Sequence, residues 1–183
     1  MAGHRPAATA SMTNAHRSRA AQFSRLAGCT AAALLALMPG TLAHAASNKV
    51  RITALSDIAF GTLSNFAADT VQSQSICLFA DTNSNGYNIT ALGSGPGGSF
   101  QLSSGTSQLP FEVQWSTSAG QNSGTDLNPN MPLAGQTSTA SHQACSNGPA
   151  ASASLIILLR SPVVSSAAAG TYAGALTLLV GPE

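Results

Sequence analysis

The chain has 183 residues, of which 44% are hydrophobic and only 7% are charged, and its formal net charge at pH 7 is +1. All six acidic residues, but only three of the seven basic residues, lie beyond position 45. Because clustered cationic side chains drive binding to the phosphates of nucleic acids, this balance argues against a nucleic-acid partner.

The first 45 residues have the pattern of a bacterial-type export signal. The basic residues of this segment are Arg5, Arg17, Arg19 and Arg25. They lead into the apolar run 31–38, and residues 43–45 (Ala-His-Ala) supply the small residues that a signal peptidase requires. The uncharged stretch 26–39 is too short for a bilayer, which needs about 20 apolar residues. We therefore predict a cleaved signal peptide over 1–45 and a single mature domain over 46–183.

The mature sequence is rich in Ser, Thr, Gly and Asn, and turn residues separate its short apolar segments about every eight to twelve positions. This rhythm is typical of an all-β sandwich. In chain order, the predicted strands are 50–55, 58–63, 71–79, 87–92, a strand beginning at Phe100, 110–116, 153–160 and 171–180. Residues 118–139 are predicted to form a loop, in which Met131 and Leu133 offer one short edge strand.

Some of these segments also predict which faces are buried. The segment 110–116 alternates the apolar residues Phe111, Val113 and Trp115 with polar residues. That apolar face is predicted to point into the core. The segments 153–160 and 171–180 carry aliphatic residues on both faces, which predicts central strands that are covered on both sides.

Two cysteines remain in the mature chain, Cys77 and Cys145. A metal pair or a redox pair would require closer spacing or a flanking histidine or cysteine, and neither residue has one. An even number of cysteines in an exported chain predicts a disulfide. Closing such a loop stabilises the fold by about 4 kcal/mol in the chain-entropy model.

Motifs for metal binding or catalysis are weak in this sequence. Residues 81–86 imitate the start of a calcium-binding EF-hand loop, but Leu92 stands where the bidentate glutamate belongs, so we predict a polar hairpin and no metal. The mature chain has one histidine, His142, in a polar loop without a paired acid. A hydrolytic triad needs such a pair. We therefore predict no catalytic residue, no enzymatic activity and no cofactor.

Four segments give the mature chain a resemblance to a known family. They are Ile58-Ala59-Phe60-Gly61, Ser75-Ile76-Cys77 followed by Tyr87-Asn88-Ile89-Thr90, Leu109-Pro110-Phe111-Glu112-Val113, and Ala169-Gly170-Thr171-Tyr172-Ala173-Gly174. In their order and spacing these segments resemble the spore coat protein U domain family, whose members include subunits of archaic chaperone-usher pili. Together they span nearly all of the mature chain.

The resemblance implies an immunoglobulin-like sandwich that lacks its final strand and leaves an apolar groove open. The expected groove edge, which would accept a donor strand, consists of Tyr172, Leu176, Leu178 and Val180. An unpaired apolar edge is an aggregation hazard unless another chain covers it. The implied partners are a periplasmic pilus chaperone, an outer-membrane usher and neighbouring pilus subunits, each chaperone or subunit acting by strand addition.

The sequence offers few residues for a donor strand of its own. Only Ser47 to Leu55 precedes the first family segment, and Val50 and Ile52 are its candidate inserting residues. We therefore predict a minor or tip-proximal structural subunit of an extracellular pilus or coat, exported through the periplasm. The alternatives are a free-standing secreted adhesive or carbohydrate-binding sandwich and, less in keeping with the residues, a hydrolase.

Overall fold

The computed structural model describes residues 47–183, so the predicted signal peptide over 1–45 lies outside the described residues. The strands are β1 (Lys49–Thr53), β2 (Thr70–Asp81), β3 (Gly86–Gly93), β4 (Gln101–Ser104), β5 (Ser107–Pro110), β6 (Glu112–Ser116), β7 (Thr125–Leu127), β8 (Leu133–Thr137), β9 (Ala153–Leu159) and β10 (Leu176–Pro182). One short helix, α1 (Ser161–Ser166), and a 3₁₀ turn at Pro96–Gly98 complete the described elements. No helix within 47–183 is long and apolar enough to cross a bilayer.

The strands form two sheets that pack face to face, and all of their strand pairs are antiparallel. The first sheet has the strand order β1-β2-β9-β6-β7, and the second has the order β10-β3-β8. A separate hairpin of β4 and β5 lies beside them. The predicted all-β, immunoglobulin-like sandwich is therefore confirmed.

The core lies between the two sheets and is built from alternating residues of their strands. Its largest fully buried side chains include Trp115 and Val113 of β6, Tyr87 and Ile89 of β3, and Leu159 of β9. The predicted inward face of β6 is confirmed, because Phe111, Val113 and Trp115 are all buried.

The strand β9 is buried on both faces, as predicted. Its residues Leu155 and Ile157 belong to the core, whereas Ile156 lies on the opposite face and is also buried. The polar loop 117–124 is hydrogen-bonded to that outer face of the sheet. The main-chain N–H of Gln121 donates to the Ser154 hydroxyl over 3.0 Å, and that hydroxyl donates to the Ser118 carbonyl over 2.8 Å.

The predicted Cys77–Cys145 disulfide is present in the structure and ties the loop 138–152 to β2. β9 pairs with β2 only as far as Ile76, so the end of β2 needs other partners on that side. The hydroxyl of Ser152 accepts the N–H of Leu78 over 2.9 Å and also donates to the Leu78 carbonyl over 2.7 Å. Serine side chains thus replace the missing strand partner here.

Three sequence predictions about strands are wrong. Residues 58–63 form no strand, because their main chain has no neighbouring strand to pair with among the described residues. The loop predicted over 118–139 contains the unpredicted strand β7, whereas the short edge strand expected at Met131 and Leu133 is present as β8. The segment predicted as a central strand over 171–180 begins its strand only at Leu176, and β10 lies at the edge of its sheet with alternate residues exposed.

Candidate functional site

The candidate site is an open groove beside the edge strand β10. Within the described residues, β10 pairs with β3 and has no strand on its other side. Leu176 and Leu178 of this strand border a cavity of about 1340 Å³. We call this cavity the open groove.

The open groove reaches the hydrophobic core. Its lining includes the core residues Leu109, Phe111, Leu155, Ile157, Leu159 and Val164. One wall consists of residues 167–176 and Leu178, and the segment 55–63 forms the other. The groove therefore lies directly against the hydrophobic core.

The structure brings together three of the four residues predicted for the groove edge. Tyr172, Leu176 and Leu178 line the open groove, and each is partly buried. Val180 is also partly buried and packs against the core, but it does not line the groove. The hydroxyl of Tyr172 donates to the carbonyl of Ala168 over 2.9 Å, which holds the chain just before β10.

Two glycines explain how the segment before β10 packs so closely against β4. Ser103 and Ala173 exchange main-chain hydrogen bonds of 2.8 and 3.0 Å. A Cβ atom at Gly174 would lie 2.7 Å from the carbonyl oxygen of Gln101, and one at Gly170 would lie 2.6 Å from the Ser104 hydroxyl. Only a residue without a side chain permits this approach at Gly174.

The wall formed by residues 55–63 has apolar side chains but little main-chain pairing. Ile58, Phe60 and Leu63 pack against the core. Residues 57–65 make no main-chain hydrogen bond to another main-chain group within the described chain. The side-chain amide of Gln74 holds the start of this wall, accepting the N–H of Ser56 over 3.0 Å and donating to its carbonyl over 3.1 Å. A strand inserted in the open groove would meet unpaired main chain on both sides.

The four sheet edges differ in their charge. The edge strand β1 carries Lys49 and Arg51, and the edge strand β7 carries Asp126. Charged residues of this kind discourage pairing with another chain. The edge strand β8 is uncharged but shifts register against β3. By contrast, β10 is seven residues long, uncharged and regularly paired, so its free edge is the best suited to accept a strand.

The candidate donor residues Val50 and Ile52 lie in β1, within the first sheet of their own chain. Val50 is paired with Ala80 and Ile52 with Leu78. Both side chains are partly buried and pack against the core. In this structure they therefore complete their own domain, and they would have to leave β2 to enter another subunit.

No family model matches this sequence, and no curated protein shows significant similarity to it. Among solved structures, one similar chain belongs to a structure described as "Chaperone-tip adhesin complex is vital for synergistic activation of CFA/I fimbriae biogenesis". The alignment covers 73% of this chain and 41% of that chain, with 17% sequence identity and a TM-score of 0.49. This chain thus spans less than half of that neighbour's length.

An ionic cluster that the sequence did not predict lies near the ends of β9 and β6. The guanidinium group of Arg160 donates to Glu112 over 2.9 Å and to Asp69 over 2.9 Å. Asp69 also accepts the main-chain N–H of Ser161 over 2.8 Å. This N–H and then the Arg160 guanidinium lower the pKa of Asp69, whereas the two carboxylates raise the pKa of Arg160. The cluster fixes the chain between the 55–63 wall and β2 to the start of α1.

The one histidine among residues 47–183 lies outside the open groove. His142 is exposed in the disulfide-linked loop. Within residues 47–183, no group of three or more His, Cys, Asp and Glu side chains could hold a metal ion. In the same part of the chain, Arg160 forms ion pairs with Glu112 and Asp69.

Proposed function

We propose that this protein is a structural subunit of a secreted bacterial pilus or surface coat, and that a strand from another chain completes its sandwich. The observation that carries the proposal is the open groove, which lies between the free edge of β10 and residues of the hydrophobic core. An added strand would pair with this edge through main-chain hydrogen bonds and fill the groove with its alternate side chains.

The energetics favour strand addition over an open state. Each aliphatic side chain that enters the groove stabilises the complex by about 1.5–3 kcal/mol through burial. The added strand also satisfies main-chain groups of β10 and of the 55–63 wall, which otherwise depend on water. A partner that inserts three or four such side chains would therefore bind tightly.

The proposed assembly route uses three partners. A periplasmic pilus chaperone would cover the groove after export, an outer-membrane usher would receive the complex, and a neighbouring subunit would replace the chaperone strand. The protein would thus reside in an extracellular fibre or coat. Its role is structural, and we propose no catalytic activity for it.

A minor or tip-proximal position is the proposed place in the fibre. The arrangement of β1 supports this choice, because Val50 and Ile52 already belong to the first sheet. A subunit that accepts a strand but keeps β1 in its own sheet donates no strand to a neighbour, unless another segment serves as donor. Such a subunit would lie at the end of the series of subunits joined by strand addition.

The direct test is to purify the mature protein with and without a strand-donating peptide of alternating aliphatic residues. We expect the protein alone to aggregate or unfold easily, and the peptide to raise its melting temperature. The variant Leu178→Asp should lose this stabilisation, because Leu178 lines the groove. Met131→Asp is the control, since Met131 is 60% exposed and does not line the groove.

Formation of the Cys77–Cys145 disulfide in both variants would establish that each has folded. A protein that remains a stable, soluble monomer and ignores every such peptide would contradict the proposal. That result would favour a free-standing adhesive domain instead.

A further inference from the structure

The open groove has a charge pattern that selects among strands. Asp57 is the one side chain with a formal charge among the groove-lining residues of the described chain. It is exposed, whereas the next residue, Ile58, is partly buried and packs against the core. The carboxylate of Asp57 is therefore accessible to solvent at the 55–63 wall of the groove.

On the opposite wall of the groove, the exposed side chain is aliphatic and uncharged. Leu179 lies on β10 between the groove residue Leu178 and Val180, and it is 56% exposed. The outward side chains of an inserted strand would thus have a carboxylate on one side and a large aliphatic side chain on the other. Side chains directly opposite one another on neighbouring strands contribute favourably when their charges are opposite and unfavourably when they are alike.

We infer that the groove selects a strand with aliphatic residues at its inward positions and basic residues at its outward positions. Lysine and arginine fit both neighbours, because their alkyl stems cover apolar surface while their cations reach a carboxylate. This inference rests on the proposed function, and it adds the chemistry of the partner strand. Acidic outward residues would be repelled by Asp57.

The chain itself contains a strand of this pattern. In β1, Val50 and Ile52 face the core, while Lys49 and Arg51 are exposed. That strand is built into its own sheet by pairing with β2. The occupant that we infer is therefore a strand of another protein with the same pattern, and the β1 sequence is a ready probe for it.

The test uses fluorescently labelled peptides and the full mature protein at low salt. The first peptide has the sequence of residues 47–55 (Ser-Asn-Lys-Val-Arg-Ile-Thr-Ala-Leu). The second replaces its Lys and Arg by Glu, and the third replaces its Val and Ile by Asp. We expect the first to bind about 3- to 10-fold more tightly than the second, the range of one or two cross-strand charge pairs. The third should not bind measurably.

A substitution in the protein locates the source of this preference. Asp57→Asn should bring the dissociation constants of the first and second peptides to within about 2-fold of each other. Higher salt should have the same effect on the unaltered protein. Asp126→Asn is the matched control, because Asp126 is an exposed acid on the far edge strand β7 and does not line the groove. It should leave the preference unchanged.

The outcomes separate the two proposals. Equal binding of the basic and acidic peptides would overturn the charge selection and leave strand addition standing. Absence of binding by both, with the third peptide equally inactive, would overturn the proposed function. Self-association of the purified protein that the Leu178→Asp variant abolishes would show that a second copy is the occupant, against the different partner inferred here.

Discussion

The indole Nε1 of Trp115 on β6 donates a hydrogen bond of 2.9 Å to the hydroxyl of Tyr87 on β3. This bond joins the two sheets inside the core, and the two rings meet edge to face with their centroids 6.3 Å apart. Both side chains are almost completely buried, so water cannot replace either partner. The pair therefore fixes the spacing of the sheets on which the open groove depends.

Removing the Tyr87 hydroxyl should destabilise the sandwich. In Tyr87→Phe the buried indole N–H of Trp115 loses its acceptor, which costs about 1–3 kcal/mol in the free energy of unfolding. Urea denaturation followed by tryptophan fluorescence measures the change. Tyr172→Phe is the control, because the Tyr172 hydroxyl donates to an exposed carbonyl and its loss should cost much less. Equal losses in the two variants would contradict this account of the pair.

The same hydroxyl predicts how stability depends on alkaline pH. Burial raises the pKa of Tyr87 to about 12 from its ordinary value of 10.0, and the hydrogen bond from Trp115 opposes the shift. The unfolded chain therefore releases this proton at lower pH than the folded chain. The contribution to stability is complete below about pH 10 and is lost as the pH rises through about 12.

This pH dependence can be measured by thermal unfolding between pH 8 and 12. We expect the melting temperature to fall more steeply above pH 10 in the parent protein than in Tyr87→Phe. Parallel curves for the two proteins would show that another group governs the alkaline transition.

The disulfide should contribute a large part of the stability of the domain over residues 47–183. Replacing both Cys77 and Cys145 by alanine opens a loop with a sequence separation of 68 residues. The expected loss is about 4 kcal/mol in the free energy of unfolding. The loop 138–152 should also become sensitive to proteases, because only serine hydrogen bonds then hold it to the end of β2. Unreduced, denatured mature protein should contain no thiol that a labelling reagent detects.

Gly174 should tolerate no side chain. In Gly174→Ala the new Cβ would lie 2.7 Å from the Gln101 carbonyl oxygen, so the segment 170–174 must move away from β4. We expect a loss of about 1–3 kcal/mol. Gly148→Ala is the control, because its nearest neighbour is a serine side chain at 3.2 Å in an exposed loop. A melting temperature for Gly174→Ala that equals that of the control would contradict the close approach.

The strands with a strong hydrophobic periodicity were predicted from the sequence. A strand that has no such periodicity, and forms only because its main chain pairs with a neighbouring strand, was not. The strict alternation of Phe111, Val113 and Trp115 and the aliphatic run of β9 follow directly from burial. The short strand β7 is polar, so no pattern marks it, whereas Leu133 marked the start of the edge strand β8. Residues 58–63 have the pattern of a strand, but a strand needs a partner, and the described chain supplies none.

The groove itself was expected from the resemblance, but the residues that form its second wall are not marked by any sequence pattern. The expected edge residues Leu176 and Leu178 do line it. Its second wall, and Asp57 on that wall, depend on the course of the chain between β1 and β2, which are neighbours in the same sheet. The ionic cluster of Arg160 joins residues that are 91 and 48 positions apart, and no local pattern reveals such a meeting.

The final prediction concerns whether β1 stays in place during assembly. Substituting Val50 and Ile52 by aspartate would not decide this question, because both residues also pack in their own core. A better variant locks β1 to β2 by a disulfide between paired, exposed positions. Lys49 and Asp81 are such a pair, so Lys49→Cys combined with Asp81→Cys would provide the lock. The control is Lys49→Ser combined with Asp81→Ser, which removes the same charges without a bond.

If β1 is a permanent part of the first sheet, the locked subunit should enter fibres as efficiently as the serine control. Quantitative immunogold labelling of surface fibres, with the free thiols counted to verify the lock, measures this incorporation. The expected equality follows from the five-residue ladder between β1 and β2, which a donor would have to break before inserting Val50 and Ile52 elsewhere. A locked subunit that is found only at fibre ends, while the control lies along the shaft, would identify β1 as a donor strand and contradict the minor or tip-proximal role.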